Sequence, residues 1–210
     1  MTSNRTRGQK AGLTNEAILD GAVRLVDRDG LAKLSMRRLG AEVDVEAMTL
    51  YHYFANKDAL LDGLVAHVFA RATVSLADEG PWQARLAGYA HSLRATLLAH
   101  PGLVPLVVSR PAVTDATLRV MEHGLEVLHS AGFAPRAALD LVYTLNDFVI
   151  GHVAATAATA ALTGQSGQEQ RLNTVDAERF PLLTEAAGAA RPDTRFDAAL
   201  DALFRGFAPQ

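Results

Sequence analysis

The sequence has no cysteine in its 210 residues. This absence excludes a disulfide framework, a zinc site built from thiolates and a cysteine nucleophile, and it is compatible with the reducing cytoplasm, in which we expect the protein to reside. Three common catalytic signatures are also missing, namely the glycine-rich phosphate loop, the zinc-peptidase helix and the serine elbow. We therefore expect a protein that is not an enzyme and that needs no cofactor.

A long uninterrupted apolar run is absent as well. The most apolar stretch, residues 139–162, contains four side chains that a lipid-facing helix tolerates poorly. They are Asp140, Asn146, Asp147 and His152. The N-terminal residues also lack the apolar core of a signal peptide. We expect neither secretion nor insertion into a membrane.

The chain has no strong excess of charge of either sign. The net charge is −3, and the first 60 residues carry nine Lys and Arg against eight Asp and Glu. The basic side chains of Arg5, Arg7 and Lys10 nevertheless have no acidic neighbour within the first ten residues. We therefore expect residues 1–12 to be a flexible segment, which is either a basic arm that reaches phosphates or a minor groove, or a tail that keeps the protein in solution.

Gly and Pro residues divide the rest of the chain into helical segments. The sequence is 49% hydrophobic and shows no alternating strand pattern bounded by hairpin signals. It therefore predicts an all-α fold with a substantial core. Beyond the first 56 residues, helices are predicted over residues 57–78, 82–99, 103–109, 114–130, 135–162 and 194–207.

Residues 34–61 have the pattern of a helix-turn-helix unit. Ser35 can cap a first helix that is apolar on one face and basic, with Arg37, on the other. Asp44 stands in the turn, where a left-handed backbone is required and Asp can replace Gly. Such a unit typically reads the major groove of DNA.

The second helix of this unit is predicted to begin at Val45 or Glu46. Val45, Leu50 and Phe54 can close onto a small core. The remaining side chains combine hydrogen-bonding groups, which suit phosphates or base edges, with apolar groups that suit a thymine methyl. They are Ala47, Met48, Thr49, Tyr51, His52 and Tyr53. We interpret them as a DNA-binding surface.

Lys57 follows at the start of the next helix, where the side chain of Asn56 can cap the first turn. The amide groups and the dipole of a helix N-terminus attract an anion, and Lys57 adds a full positive charge. Lys57 and Arg37 are therefore the cations predicted to bind DNA phosphates.

Residues 49–54, Thr-Leu-Tyr-His-Tyr-Phe, followed by Asn56 and Lys57, resemble the tetracycline-repressor (TetR) family of bacterial transcription regulators. The resemblance continues through Asp62, and residues 13–30 resemble the first helix of the family. It implies a regulator, most often a repressor, that binds double-stranded operator DNA as a homodimer and is released by a small-molecule effector.

The same resemblance implies the domain organisation. A helix-turn-helix domain would occupy residues 13–60, and a long helix would join it to a helical ligand-binding and dimerisation domain over residues 61–210. The family usually has Gly at the position of Asp44 and often Ser near Glu46. Because this turn has different chemistry, the resemblance does not predict the operator sequence.

The implied homodimer involves two C-terminal helices. Members of the family pair through a four-helix bundle, to which each subunit would contribute residues 135–162 and 194–207. The first segment ends in many small Ala and Thr residues, and the second carries more apolar surface than a terminal helix needs alone. Alternatively, both helices complete the core of a monomer. A dimer would read a palindrome with half-sites about one helical turn, roughly 34–36 Å, apart.

In this family an effector binds the C-terminal half, shifts the long connecting helix and changes the separation of the two DNA readers. The resemblance implies six candidate ligand-binding residues, and a place in the core is the simpler interpretation of each except Asn146. They are Thr73, Tyr89, Leu93, Met121, Val142 and Asn146. Tyr143 is a seventh candidate, because with Tyr89 or Asn146 it could donate a hydrogen bond to a ligand. Where tetracycline repressors bind magnesium through histidines, this chain has Thr73 and the apolar residues 106–108. We expect a largely apolar effector and no metal.

Two further segments are interpreted less specifically. The polar, glycine-containing residues 163–175 predict a mobile loop. Residues 180–186 resemble a segment near the pocket in the tetracycline-repressor subclass, or they form a turn of helix on the surface.

A metal site is the main alternative chemistry. Glu126 and His129 have the Glu-x-x-His spacing of di-iron bundles, with Glu122 one turn earlier. A carboxylate-bridged metal pair needs a second such motif, and no other Glu is followed three places later by His. Pairing of Glu and His on a solvated helix is the simpler interpretation. A helical metal-binding or protein-interaction bundle without DNA binding is the alternative function, but it leaves residues 49–57 unexplained.

Overall fold

The structure is a computed structural model that describes residues 13–73, 76, 79–110, 113–163, 175–189 and 192–207. These residues contain no β-strand, and the predicted all-α fold is confirmed. The helices are α1 (Asn15–Asp29), α2 (Met36–Glu42), α3 (Ala47–Leu50), α4 (Lys57–Ala72), α5 (Trp82–Ala99), α6 (Val104–Ser109), α7 (Asp115–Ser130), α8 (Pro135–Thr163), α9 (Pro181–Ala189) and α10 (Pro192–Gly206). The predicted basic arm and residues 164–174 of the predicted loop lie outside the described residues.

Side-chain caps determine where the N-terminal helices begin. The hydroxyl of Ser35 accepts the amide N–H of Arg38 at 3.3 Å at the start of α2. The side-chain oxygen of Asn56 accepts the amide N–H of Ala59 at 2.8 Å at the start of α4. Each cap of this kind stabilises its helix by about 1 kcal/mol. Both caps confirm the sequence-based predictions.

The turn between α2 and α3 brings two backbone segments into close contact. Asp44 has a φ of 57°, which confirms the predicted left-handed conformation. The amide of Val45 donates to the carbonyl of Gly40 at 2.9 Å. A Cβ atom on Gly40 would lie 2.8 Å from the carbonyl oxygen of Val45 and 3.2 Å from the nitrogen of Ala47. Gly40 therefore allows α3 to approach α2 closely.

Two of the differences from the predicted helix boundaries bear on the candidate sites. The helix α3 begins at Ala47 rather than at Val45 or Glu46, because Glu46 has an extended backbone with φ −70° and ψ 146°. The helix α4 ends at Ala72 rather than near residue 78. There the hydroxyl of Thr73 donates to the carbonyl of Ala70 at 2.7 Å, and side-chain hydroxyls compete in this way with the helical backbone.

The helix α4 lies at the centre of one buried cluster that extends from α1 to α10. Its side chains Leu60, Leu64 and Val65 are fully buried. It packs against α1 on the N-terminal side and against α5 and α7 on the C-terminal side. The two halves of the described chain therefore share one core, and α4 holds them in register.

Aromatic side chains attach α10 to the C-terminal half. The rings of Phe204 and Trp82 meet edge-on with centroids 5.4 Å apart, and Phe133 meets Trp82 at 5.0 Å. Phe196 stacks on Phe148 of α8 at 5.2 Å. Two of these contacts lie one turn or less from an end of α10, so both ends of this helix are fixed on α5 and α8.

Within the described ranges, no single helix has the length and apolarity needed to cross a bilayer. The helix α5 and the segment Pro101–Ser109 satisfy the criterion only when taken together, and they meet at an angle of 97°. Their apolar side chains, including Leu86, Leu93 and Val104, are buried in the shared core.

We expect Gly40→Ala to reduce the free energy of unfolding by about 1–3 kcal/mol, because the added methyl group must displace backbone atoms of Val45 and Ala47. Thermal unfolding followed by circular dichroism measures this change. Gly206→Ala is the matched control, since no atom lies within 4 Å of the position of its Cβ. Equal melting temperatures for the two variants would contradict the close approach of α2 and α3.

Candidate functional site

The helix α3 and the turn after it expose the side chains that the sequence assigns to DNA binding. Met48 is 69% exposed and Tyr51 is 44% exposed, while the intervening Leu50 is fully buried. His52 is also exposed, and Thr49 is half-buried. Ala47 is half-buried beside Gly40. The buried leucine fixes the helix, and its outer face offers apolar and hydrogen-bonding groups to solvent.

Tyr53 has a second role that the sequence does not predict. Its side chain is 37% exposed, and its hydroxyl donates to the carbonyl of Leu13 at 3.0 Å. This bond links the turn after α3 to Leu13, which lies two residues before α1. Because the hydroxyl hydrogen is already donated, Tyr53 presents outward mainly its ring edge and the lone pairs of its oxygen.

Ion pairs between α1 and α2 neutralise several cations of the N-terminal unit, which we define as α1, α2 and α3. Arg28 lies 2.9 Å from Glu42, and Arg24 lies 3.4 Å from the same carboxylate. Hydrogen bonding from Arg28 lowers the pKa of Glu42. Arg38 pairs with Asp29 at 2.5 Å. These exposed pairs orient α2 on α1 and leave their arginines with compensated charge.

Arg37 and Lys57 differ from these cations. Both side chains are exposed, and neither makes an ion pair with any other part of the chain that the structure describes. Lys57 is the first residue of α4, next to the cap at Asn56. Each of these two residues therefore offers an unpaired positive charge beside the exposed face of α3.

A second candidate site lies in the C-terminal half. A cavity of about 540 Å³, partly open to solvent, lies between α4, α5, α6, α7 and α8. Its wall is predominantly apolar, with contributions from Phe69, Leu86, Val107, Met121, Val142 and Ile150. A cavity of this size and composition is typical of sites that bind small organic molecules.

One buried hydrogen bond supplies the polar anchor of this cavity. The hydroxyl of Tyr89 on α5 donates to the side-chain oxygen of Asn146 on α8 at 2.7 Å. Burial raises the pKa of Tyr89 well above its usual value, so the phenol remains neutral. The lone pairs of Tyr89 and the amide hydrogens of Asn146 remain for another partner. The anchor can therefore accept and donate hydrogen bonds at the same point.

The structure brings together five of the seven residues predicted to contact a ligand. Tyr89, Met121, Val142, Tyr143 and Asn146 all line the cavity, and Tyr143 is 50% exposed at its edge. Their binding role itself remains a prediction.

Thr73 and Leu93 lie elsewhere. Thr73 follows the end of α4 and its hydroxyl bonds to Ala70, while Leu93 is fully buried in the core. Neither contributes to the cavity wall. Thr73 does not line the cavity because α4 ends before it. Leu93 does not line it because its side chain on α5 points into the core.

The sequence analysis missed Arg110, Thr117 and Asp147, which also line the cavity. Arg110 is the most informative of them, because it contacts Asp58 and Asp62 on α4. The hydrogen bonds that Arg110 donates to Asp62 and Asp58, of which the one to Asp62 has the larger effect, raise the pKa of Arg110. No local pattern marks such a residue, since its partners lie 48 and 52 positions away in the sequence.

The Glu-x-x-His pattern on α7 does not form a cluster of metal ligands. Glu126 lies 3.3 Å from His123, and the ring of His129 lies 3.3 Å from the carbonyl of Phe133. Across the described ranges, no group of three or more His, Asp or Glu side chains is arranged to hold a metal ion.

Two family descriptions match successive parts of the chain. Residues 18–64 match the bacterial regulatory proteins of the tetR family. Residues 75–210 match the tetracyclin repressor-like C-terminal domain. The first match contains the exposed face of α3, and the second contains most of the cavity wall.

Individual proteins resemble the chain over most of its length. It is 31% identical to the HTH-type transcriptional repressor DrrR1 of Streptomyces coeruleorubidus, over 89% of this chain and 68% of that protein. It is 32% identical to the class D tetracycline repressor protein of Escherichia coli, over 95% of this chain and 91% of that protein. The Streptomyces coelicolor TetR family protein ActR in complex with actinorhodin superposes with a TM-score of 0.73 at 28% identity, over 94% of this chain and 97% of that chain.

We expect Tyr89→Phe to reduce the free energy of unfolding by about 1–2 kcal/mol, because the buried oxygen of Asn146 loses its donor. Urea denaturation measures this difference. The matched control is Tyr143→Phe, which removes an exposed hydroxyl that has no hydrogen-bond partner among the described residues, and it should leave the stability within experimental error. If both variants lose the same stability, the hydrogen bond between α5 and α8 does not stabilise the fold.

Proposed function

The chain belongs to the TetR family of bacterial transcription regulators, and we propose that it is a repressor that binds a palindromic operator as a homodimer and is released by a small, largely apolar effector. The observation that carries this proposal is the exposed face of α3. An isolated structural helix gains nothing from exposing Met48 and Tyr51. A helix that enters a DNA groove requires such side chains.

Each part of the DNA-binding surface has a proposed contact. Met48 and Ala47 offer apolar contacts to thymine methyl groups, and Tyr51 and His52 offer hydrogen bonds to phosphates or base edges. Lys57 supplies a phosphate contact at the start of α4, where the helix dipole also favours an anion. Together with Arg37, Thr49 and the ring of Tyr53, these residues form the proposed DNA-binding set.

The cavity supports the proposed effector site. Its apolar wall favours a ligand with an extended hydrocarbon body, and the pair formed by Tyr89 and Asn146 favours a ligand with a carbonyl or hydroxyl group at one point. The structure of ActR with actinorhodin offers a precedent within the same fold. We propose that Met121, Val142 and Tyr143 contact the ligand body.

A homodimer is supported by the outward faces of α8 and α10. The outward face of α8 carries the small residues Ala155 and Ala158, which permit close approach of another helix. On α10, Ala202 is exposed, and Phe207, directly after this helix, is only partly buried. A two-fold axis through these helices would place two α3 helices on one side of a DNA duplex.

We expect Lys57→Ala and Tyr51→Ala to weaken operator binding by at least several-fold, because each removes a contact at the DNA surface. The operator can be isolated by selection from random duplexes, and affinity can be measured by fluorescence anisotropy at several salt concentrations. The loss of one phosphate contact in Lys57→Ala should reduce the slope of log affinity against log salt by about one unit.

Arg119→Ala is the control for this experiment, since Arg119 is an exposed arginine on α7, outside the N-terminal unit. The Arg119→Ala variant should bind the operator with the same affinity as the unmodified protein and with the same slope of log affinity against log salt. Unchanged DNA binding by both Lys57→Ala and Tyr51→Ala would contradict the assignment of α3 as the DNA-reading helix.

We expect Ala158→Arg to convert the dimer to a monomer at micromolar concentrations, because a large charged side chain would be buried between two α8 helices. Light scattering coupled to size-exclusion chromatography measures the mass in solution. Ala116→Arg, on the exposed face of α7, is the matched control and should remain dimeric. A dimeric Ala158→Arg variant would argue against pairing through this face of α8.

A further inference from the structure

Arg110 connects the cavity wall to the first turns of α4. It follows α6 directly and lines the cavity. Its Nη2 atom lies 2.6 Å from the carboxylate of Asp58, and its Nη1 atom lies 2.7 Å from the carboxylate of Asp62. The same Nη1 donates to the backbone carbonyl of Asp58 at 3.1 Å. One side chain from the cavity wall thus makes three hydrogen bonds to α4.

These bonds are of the strong type. The donor is a guanidinium and two of the acceptors are carboxylates, and charge-assisted hydrogen bonds are about twice as strong as neutral ones. The side chain of Arg110 is only 27% exposed, so water screens the pair with Asp62 less than it screens a surface ion pair. A rigid planar group that bonds to two adjacent turns of a helix also fixes the direction of that helix.

The three hydrogen bonds from Arg110 hold the end of α4 that lies nearest to α3. Asp58 follows Lys57, and both lie in the first turn of α4. Only the turn over residues 51–56 separates this end of α4 from α3. Of the described residues of α4, Phe69 is the one that lines the cavity, and it lies three turns away from this end. Thr73, which follows this helix and is predicted from the sequence to bind a ligand, does not line the cavity. Arg110 is therefore the link between the cavity wall and the DNA-facing end of α4.

We propose that Arg110 is a positioning residue that holds the start of α4, and with it Lys57 and α3, in the arrangement that binds DNA, and that an effector releases this arrangement by displacing Arg110 from Asp58 and Asp62. This inference rests on the proposed function and adds the regulation of the same cavity. A hydrogen bond of 2.6–3.1 Å is lost when its atoms separate by less than about 1 Å. A ligand that moves the guanidinium of Arg110 away from α4 by that distance breaks all three bonds.

The charges of the cavity wall favour an uncharged effector. The guanidinium of Arg110 is already neutralised by two carboxylates, and the other charged residue of the described cavity wall is Asp147. An anionic ligand would therefore find no unpaired cation in this wall. The effector needs only an apolar body that occupies the space beside Val107 and Val108.

The first experiment removes the link. Arg110→Met keeps most of the apolar stem and loses the guanidinium. We expect it to weaken operator binding by about tenfold, within the range usual for coupled sites, and to accelerate amide hydrogen exchange in residues 57–64 while exchange in α5 and α8 stays unchanged. Asp62→Asn should produce a smaller change of the same kind, and it provides a second variant if Arg110→Met is poorly folded.

The control is Arg136→Met, which removes an arginine paired with Asp140 within α8. It should change neither operator affinity nor exchange in α4. If Arg110→Met leaves both the exchange of residues 57–64 and the operator affinity as in the unmodified protein, the positioning role is wrong. If the unmodified protein binds no operator, the proposed function fails instead, and the exchange data still decide whether Arg110 holds α4.

The second experiment tests release by cavity occupancy. The probe is N-phenyl-1-naphthylamine, a neutral aromatic molecule whose fluorescence increases in apolar sites. At saturation, it should weaken operator binding of the unmodified protein and leave that of Arg110→Met unchanged, because the link is already absent. An equal effect on both proteins, no effect on either, or failure of the probe to bind would overturn the claim that an apolar body in this cavity acts through Arg110.

Discussion

The helix α4 is packed into both halves of the protein, and this shared packing is the constraint on which the rest of the structure depends. Leu60 and Leu64 are fully buried between α1 and the C-terminal helices. A close-packed interior does not deform continuously, so it passes from one arrangement to another as a unit. A displacement of α4 in one half therefore disturbs the packing in the other half, and a substitution that loosens α4 is expected to affect both the α3 surface and the cavity wall.

The cavity combines an unspecific wall with one specific anchor. Apolar side chains such as Phe69 and Met121 favour many ligands of suitable size, and contacts of this kind discriminate weakly between them. The bonded pair formed by Tyr89 and Asn146 is different, because a ligand that fails to replace or complement its hydrogen bond leaves buried polar groups unsatisfied. In the proposed effector site, selectivity among apolar compounds would therefore depend on this one point, which lies on α5 and α8 rather than on α6.

Local chemistry explains which features the sequence predicts. The two helix caps and the turn involve only residues within a few positions of Ser35, Asp44 and Asn56. The sequence alone therefore predicts them. The family resemblance predicts where the cavity lies. Ligand-binding roles assigned to single positions by resemblance to distant relatives are less accurate, since Leu93 is buried in the core. The contacts of Arg110 with α4 depend on how two distant segments pack, and no pattern of neighbouring residues encodes that arrangement.

The hydrogen bond from the hydroxyl of Tyr53 to the carbonyl of Leu13 joins the turn after α3 to the chain two residues before α1. The start of α1 and the edge of the proposed DNA-reading surface are therefore held together by a contact between residues 40 positions apart in the sequence. Loss of this one phenolic hydroxyl would let the two segments move separately, although no residue of α3 itself had changed.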